Sequence, residues 1–336
     1  MKVVITDYIE PDLDWESKQL KERGVEFAYH QLKFAPFEKL VEATRDADVV
    51  IVNMVPVTRE LIAAWQKCKL VIRHGVGYDN VDVAALDEAG IPLCYIPDYC
   101  VEEVAEQAIA LIFACGRRIV TGRRVLENSS KNGIWDFNET IPVFRMAGQT
   151  LGIVGCGRIG SRVYEKLRSF GFKFLICDPF LSEQRQKELG VETVSKETLF
   201  RESDFITIHT PLNKDTRHIV NRETLAMMKP TAYLVNTARG GMVDSEALAE
   251  ALKKRTIAGA GIDVYETEPP SPDDALFKLP NATLAPHLAW YSEDSGWKIR
   301  ELIVLEIDRF LAGKPPRYLA GRVQLAGAPA GSEPRP

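Results

Sequence analysis

Residues 149–178, QTLGIVGCGRIGSRVYEKLRSFGFKFLICD, constrain the fold more than any other stretch. An apolar run ends in Gly155-x-Gly157-x-x-Gly160, a helical stretch follows, and a second apolar run closes on Asp178. This predicts a strand–turn–helix–strand unit in which each glycine answers a separate demand. Gly155 permits a tight turn, Gly157 lets the backbone approach a pyrophosphate, and Gly160 lets helix and strand pack closely. The first N–H groups of such a helix, from Arg158 and Ile159 onward, have no acceptor within it and sit at the positive end of its dipole. Asp178 stands about 20 residues on, where a carboxylate can take hydrogen bonds from adenosine ribose hydroxyls. The unit therefore predicts a dinucleotide site rather than a plain βα turn. A carboxylate at 178 repels the extra phosphate of NADP, and Pro179, Phe180 and Leu181 bring no cation to offset it. NAD is the expected cofactor.

A chain of 336 residues has room for two domains of ordinary size. Its 46% apolar and 26% charged residues are those of a globular protein, and a net charge of −5 carries no nucleic-acid signature. The longest apolar stretches, Val49–Val57 and Ile109–Cys115, are too short to cross a bilayer. The N-terminus lacks the apolar segment of a signal peptide. Six cysteines show no CxxC pairing and no metal site is expected. They read as reduced thiols of a cytoplasmic protein.

Short apolar runs at 3–6, 48–52, 70–73 and 92–95 alternate with helix-like stretches near 14–23, 36–45, 58–67 and 81–89. Such alternation implies a parallel sheet. A wide apolar stripe predicts a buried helix over 102–119, leading into a second α/β unit. The strands of that unit continue through 205–209, 232–236, 257–263 and 282–286, and an amphipathic helix is expected over 297–312. Residues 323–336, rich in Ala, Gly and Pro, read as a disordered tail. The fold class is thus α/β, with two doubly wound parallel-sheet units. Ligands of such sheets bind at the C-terminal strand ends. Arg73-His74-Gly75-Val76-Gly77, His209-Thr210-Pro211, Asn236-Thr237-Ala238-Arg239, Asp263 and His287 all fall there.

Hydride transfer to a 2-keto acid needs a cation to hold the carboxylate and polarise the ketone. It also needs a proton donor whose pKa lies near the working pH, which a histidine beside a carboxylate provides. Arg239, Glu268 and His287 are the candidates. Taken singly, each has a structural alternative: a helix-start charge, a solvated loop acid, a core histidine. Together, at successive strand ends of a dinucleotide fold, they favour catalysis.

The motifs NTARGGMVDSEAL (236–248), AGIDVYETEPP (260–270), APHLAWYS (285–292) and GVGYDNVD (75–82) resemble those of the D-2-hydroxyacid dehydrogenases, over roughly residues 45–315. The resemblance implies two flavodoxin-like lobes, with a cofactor domain (101–291) inserted into a discontinuous substrate domain (1–100 and 292–322). It implies that Arg239 binds substrate, that His287 is the acid/base, and that Glu268, rather than Glu266, is its partner. It assigns cofactor contacts to Arg158, Ile159, Asp178, Thr210, Pro211, Thr216, Thr237, Ala238, Arg239 and Asp263, with Asp263 on the nicotinamide amide. The N–H groups of Val76 and Gly77 would meet the substrate carboxylate. VIRHGVGYDN and PHLAWYSE are most similar to the C-terminal-binding-protein co-repressors and their bacterial enzyme relatives. In that branch Arg73 adds a second cation and Trp290 an apolar wall, although interdomain packing explains Trp290 equally well. A homodimer through the cofactor domain is implied, for which helix 102–119 and the 120–146 arm are suited. The substrate alternatives include a short phosphoglycerate dehydrogenase and reductases of sugar-acid, glyoxylate, hydroxypyruvate or branched 2-keto substrates. An NAD-sensing scaffold that binds a partner protein is the alternative of another class. Formate dehydrogenases carry glutamine where Glu268 stands, which disfavours them.

Overall fold

The computed structural model describes residues 1–323; apart from its first residue, the expected tail lies outside the described residues. The chain divides into two compact units, Met1–Cys100 with the chain from Ser292 on, and Val101–Tyr291. The first contains β1 (Lys2–Ile5), β2 (Glu26–Tyr29), β3 (Val49–Val52), β4 (Leu70–Arg73) and β5 (Leu93–Cys94). The second contains β6 (Thr150–Val154), β7 (Lys173–Cys177), β8 (Phe205–Ile208), β9 (Tyr233–Asn236), β10 (Gly259–Ile262) and β11 (Ala282–Leu284), and β12 (Leu319–Ala320) returns to the first.

Each unit holds one six-stranded sheet, ordered β12-β5-β4-β3-β1-β2 and β11-β10-β9-β8-β6-β7. Every pairing is parallel except that of β12 with β5. Both sheets are therefore doubly wound, as the alternation of elements implied. All four residues of β3, of β8 and of β9 are buried. That explains why these strands read as continuous apolar runs rather than alternating ones: helices cover both faces.

Several elements differ from the sequence reading, among them the two-residue strand β12, which was not expected. Strand β2 was not expected; it lies at the sheet edge, pairs only with β1, and is not fully buried at any position, with Glu26 and Tyr29 exposed. The expected helix over 102–119 ends at Gly116, and a new helix, Ile119–Asn132, follows. Arg118 between them adopts φ 51°, in the left-handed region. Packing marks the end: a Cβ on Gly116 would stand 2.7 Å from the Phe205 ring. The C-terminal helix runs Glu293–Leu311, four residues earlier than expected, because Ser292 and Ser295 form a reciprocal capping box.

That last helix is pinned within the first unit by charge. Arg300 donates to both oxygens of Glu16, at 2.5 and 2.6 Å, with both side chains buried. Glu306, fully buried, accepts from the N–H and guanidinium of Arg317 and so holds the approach to β12.

Candidate active site

In the second unit the strand order reverses beside β6 and β8, and ligands of open α/β sheets bind at such a switch point. The turn after β6 and the segment after β8 meet there. Gly155 has φ 87°, and a Cβ on it would lie 2.5 Å from Thr210 Cγ2 and 2.9 Å from the His209 carbonyl. Only glycine supplies both the conformation and the clearance. A Cβ on Gly160 would fall 2.0 Å from the Gly155 carbonyl oxygen, so the helix Arg158–Leu167 sits directly on the turn. Gly157 has no atom within 4 Å of its missing Cβ; the space beside it is open, as backbone approach by a pyrophosphate requires. Asp178 ends β7. Its Oδ2 accepts from the Cys156 N–H at 2.8 Å and its Oδ1 from the Phe180 N–H at 2.9 Å. The carboxylate thus orders the glycine turn while keeping acceptor capacity for a ribose. The residues present fit a dinucleotide.

The segments after β8 and β9 complete the cradle. Thr216 Oγ1 donates to the Pro211 carbonyl at 2.7 Å and accepts from the Asn213 N–H at 2.8 Å, closing the 211–216 turn. Thr237 is buried, and its hydroxyl has no protein partner among the described residues. Asn236, fully buried at the end of β9, accepts from the Ala238 N–H at 3.0 Å and donates to the Arg239 carbonyl at 2.9 Å. Ile159 is partly exposed at the helix start, and Arg158 is exposed.

Asp263 and His287 follow β10 and β11. Asp263 is fully buried. Its carboxylate accepts the N–H groups of Leu288 and Ala289, each at 3.0 Å. The His287 N–H donates to the Asp263 carbonyl at 2.7 Å, and His287 adopts φ 53°. His287 Nδ1 lies 2.7 Å from Glu268 Oε2, and Glu268 Oε1 accepts the Tyr265 N–H at 3.0 Å. Burial alone would push the Glu268 carboxyl upward. The hydrogen bond and charge of His287, the Tyr265 N–H and the charge of Arg239 outweigh it and hold the carboxyl below the usual range. Glu266, the other acid of this loop, pairs instead with His218 at 2.6 Å and with the Ser245 N–H at 3.1 Å. Arg239, Glu268 and His287 therefore gather in one place, each from the loop after a different strand. Trp290 lies three residues beyond His287, its ring 5.1 Å from that of Tyr291.

Arg73, Val76 and Gly77 belong to the first unit, where Arg73 ends β4 and the other two follow it. Arg73 donates to the His74 carbonyl. His74 Nε2 lies 2.9 Å from Glu10 Oε1, both side chains buried. Sequence reasoning placed Asn236 at a strand end without giving it a role, and did not single out Glu10 or Tyr265. Each of the three acts by ordering a loop, and only the Asn opening the NTARG motif left a trace in the sequence. Among the described residues no helix is long and apolar enough to cross a membrane.

Glycine cradle, buried aspartate and histidine–glutamate pair all stand beyond the carboxyl ends of strands of one doubly wound sheet. Residues 109–289 match the family model described as D-isomer specific 2-hydroxyacid dehydrogenase, NAD binding domain. A glyoxylate reductase of Korarchaeum cryptofilum is 39% identical over 293 residues, covering 87% of this chain and 88% of that one. A D-3-phosphoglycerate dehydrogenase of Methanocaldococcus jannaschii is 38% identical over 317 residues, covering 94% of this chain but 58% of that one. Among solved structures, a D-lactate dehydrogenase from Aquifex aeolicus, complexed with NAD and lactic acid, aligns with a TM-score of 0.81. It is 31% identical, over 93% of this chain and 96% of that one. The chain belongs to the D-isomer specific 2-hydroxyacid dehydrogenase family and is an NAD-dependent oxidoreductase acting on hydroxy acids.

Proposed function

We propose that the protein reduces a small 2-keto acid to its D-2-hydroxy acid, with His287 and Glu268 as the acid/base pair and Arg239 as the substrate anchor. The observation that carries this reading is the hydrogen bond between His287 Nδ1 and Glu268 Oε2 at 2.7 Å. It commits Nδ1 to the carboxylate and leaves Nε2 for substrate, and the His287 side chain is 35% exposed. When bound, NADH supplies the hydride. Arg239 holds the carboxylate and the ketone oxygen, where negative charge grows during reduction. His287, oriented by its hydrogen bond to Glu268, gives its proton to that oxygen. In the oxidation direction neutral His287 takes the proton back. Arg73, Val76, Gly77 and Trp290 are assigned to the substrate by motif alone.

Glyoxylate is the first substrate to try, because the archaeal relative bears that name; phosphohydroxypyruvate is the second. Loss of NADH absorbance across a panel of 2-keto acids tests the activity. His287→Ala should lower turnover by roughly two to four orders of magnitude with modest loss of NADH affinity. Unchanged turnover would remove the histidine from the reaction. The six free thiols support a reducing compartment, the cytoplasm. The stretch 119–144 exposes Ile119, Leu126, Ile134, Trp135, Phe137 and Ile141, which supports a homodimer through this unit. Sedimentation as a monomer would end that part of the reading.

A further inference from the structure

We infer that Tyr265 is a positioning residue for the reaction: it ties the loop bearing Glu268 to the strap bearing His287 and to the backbone beside Arg239. The inference rests on the reading of His287 and Glu268 as the acid/base pair.

Three contacts carry it. The Tyr265 N–H donates to Glu268 Oε1 at 3.0 Å. The Tyr265 hydroxyl donates to the Ala285 carbonyl at 3.0 Å, two residues before His287. On the third side, a Cβ on Gly240 would lie 1.9 Å from the Tyr265 carbonyl carbon, so the residue after Arg239 packs directly on the Tyr265 backbone. One residue thus touches the segments of all three proposed reacting groups.

The phenol bond falls where a tether is needed. The Ala285 N–H makes the last ladder bond from this segment to β10, with the Ile262 carbonyl at 2.8 Å. Beyond it the chain leaves the sheet for Pro286 and the left-handed His287. The hydroxyl grips the far side of Ala285, between the ladder and the Asp263 latch. Burial, reinforced by the charges of Asp263, Asp274 and Glu268, pushes the phenol up to about 12. The O–H therefore remains a donor across any working pH.

Tyr265→Phe keeps the ring that packs on the unit's core and removes only the donor. The expected result is a kcat about tenfold lower, NADH affinity unchanged, and the alkaline limb of the reduction profile moved to lower pH as His287 drifts from Glu268. NMR titration of the five histidines without cofactor supplies a readout besides turnover: the His287 signal, assigned with His287→Ala, moves in the same direction. Unaltered kcat and titration overturn the inference. So does a lower kcat with an unmoved pH limb, or a loss of NADH binding in step with turnover, since either marks a general structural role. Full turnover in His287→Ala would instead overturn the acid/base reading on which the inference stands.

Discussion

His287 is fastened to Asp263 through the main chain: its N–H meets the Asp263 carbonyl at 2.7 Å, and the Asp263 carboxylate takes the next two N–H groups. The carboxylate is fully buried, so both of its oxygens depend on these two N–H groups rather than on water. Asn in its place offers one accepting oxygen and turns an NH2 toward the other donor. Asp263→Asn should cost about 1–3 kcal/mol of stability and lower kcat, because the strap carrying His287 loses half its latch. Urea unfolding alongside steady-state kinetics checks this; a variant as stable and as fast as the parent would sink it.

The latch was invisible in the sequence for a physical reason. Glycine spacing, apolar runs and the acid at 178 report local requirements, so the doubly wound sheets and the glycine cradle were legible. Edge strand β2, with its half-exposed EFAY, has no such periodicity. Strand β12, two residues long, depends on Glu306 and Arg317 rather than on its own composition. Likewise Arg239, Glu268 and His287 were legible as motif residues, whereas Tyr265 and Glu10 act through partners distant in sequence. The ends of helices were set by packing at Gly116 and by capping at Ser292, which apolar periodicity does not record.

Glu268→Gln tests the charge of the pair apart from its geometry. Glu268 is held below the usual carboxylate range, so it is anionic throughout the working range and favours the cationic histidine. Glutamine keeps an acceptor but removes the charge. The alkaline limb of reduction, where the proton donor is exhausted, should move down by about one pH unit or more. Oxidation, which needs neutral His287, should persist to lower pH. A pH–rate profile in both directions measures this, and unmoved limbs argue against the pairing.

Asp178→Ala addresses cofactor choice. Its carboxylate is already held by Cys156 and Phe180, so it stands at a fixed position from which it would repel a 2′-phosphate. Removing one such repulsion at the protein surface is worth on the order of 1–2 kcal/mol, or about tenfold in the NAD/NADP ratio of kcat/KM. The loss of the Cys156 bond should also loosen the glycine turn and raise KM for both cofactors. An unaltered ratio would show that the ribose is read elsewhere.

Glu10→Gln probes stability in the first unit. Burial works against the Glu10 carboxylate, but the hydrogen bond and charge of His74, with the Ile9 N–H, bring it from the usual 4.5 down to about 2. Above pH 4.5 the carboxylate is ionised both folded and unfolded, and its stabilisation is fully present. As pH falls through 4.5 the unfolded chain takes up a proton that the folded chain still refuses, so the contribution shrinks, and it is gone below about pH 2. A shift of this size corresponds to about 3 kcal/mol just above pH 4.5. Glu10→Gln should therefore destabilise the protein strongly at pH 5 and progressively less toward pH 3, as read by urea midpoints at the two values. An equal loss at both would mean that packing around Gln, not the charge facing His74, accounts for the effect.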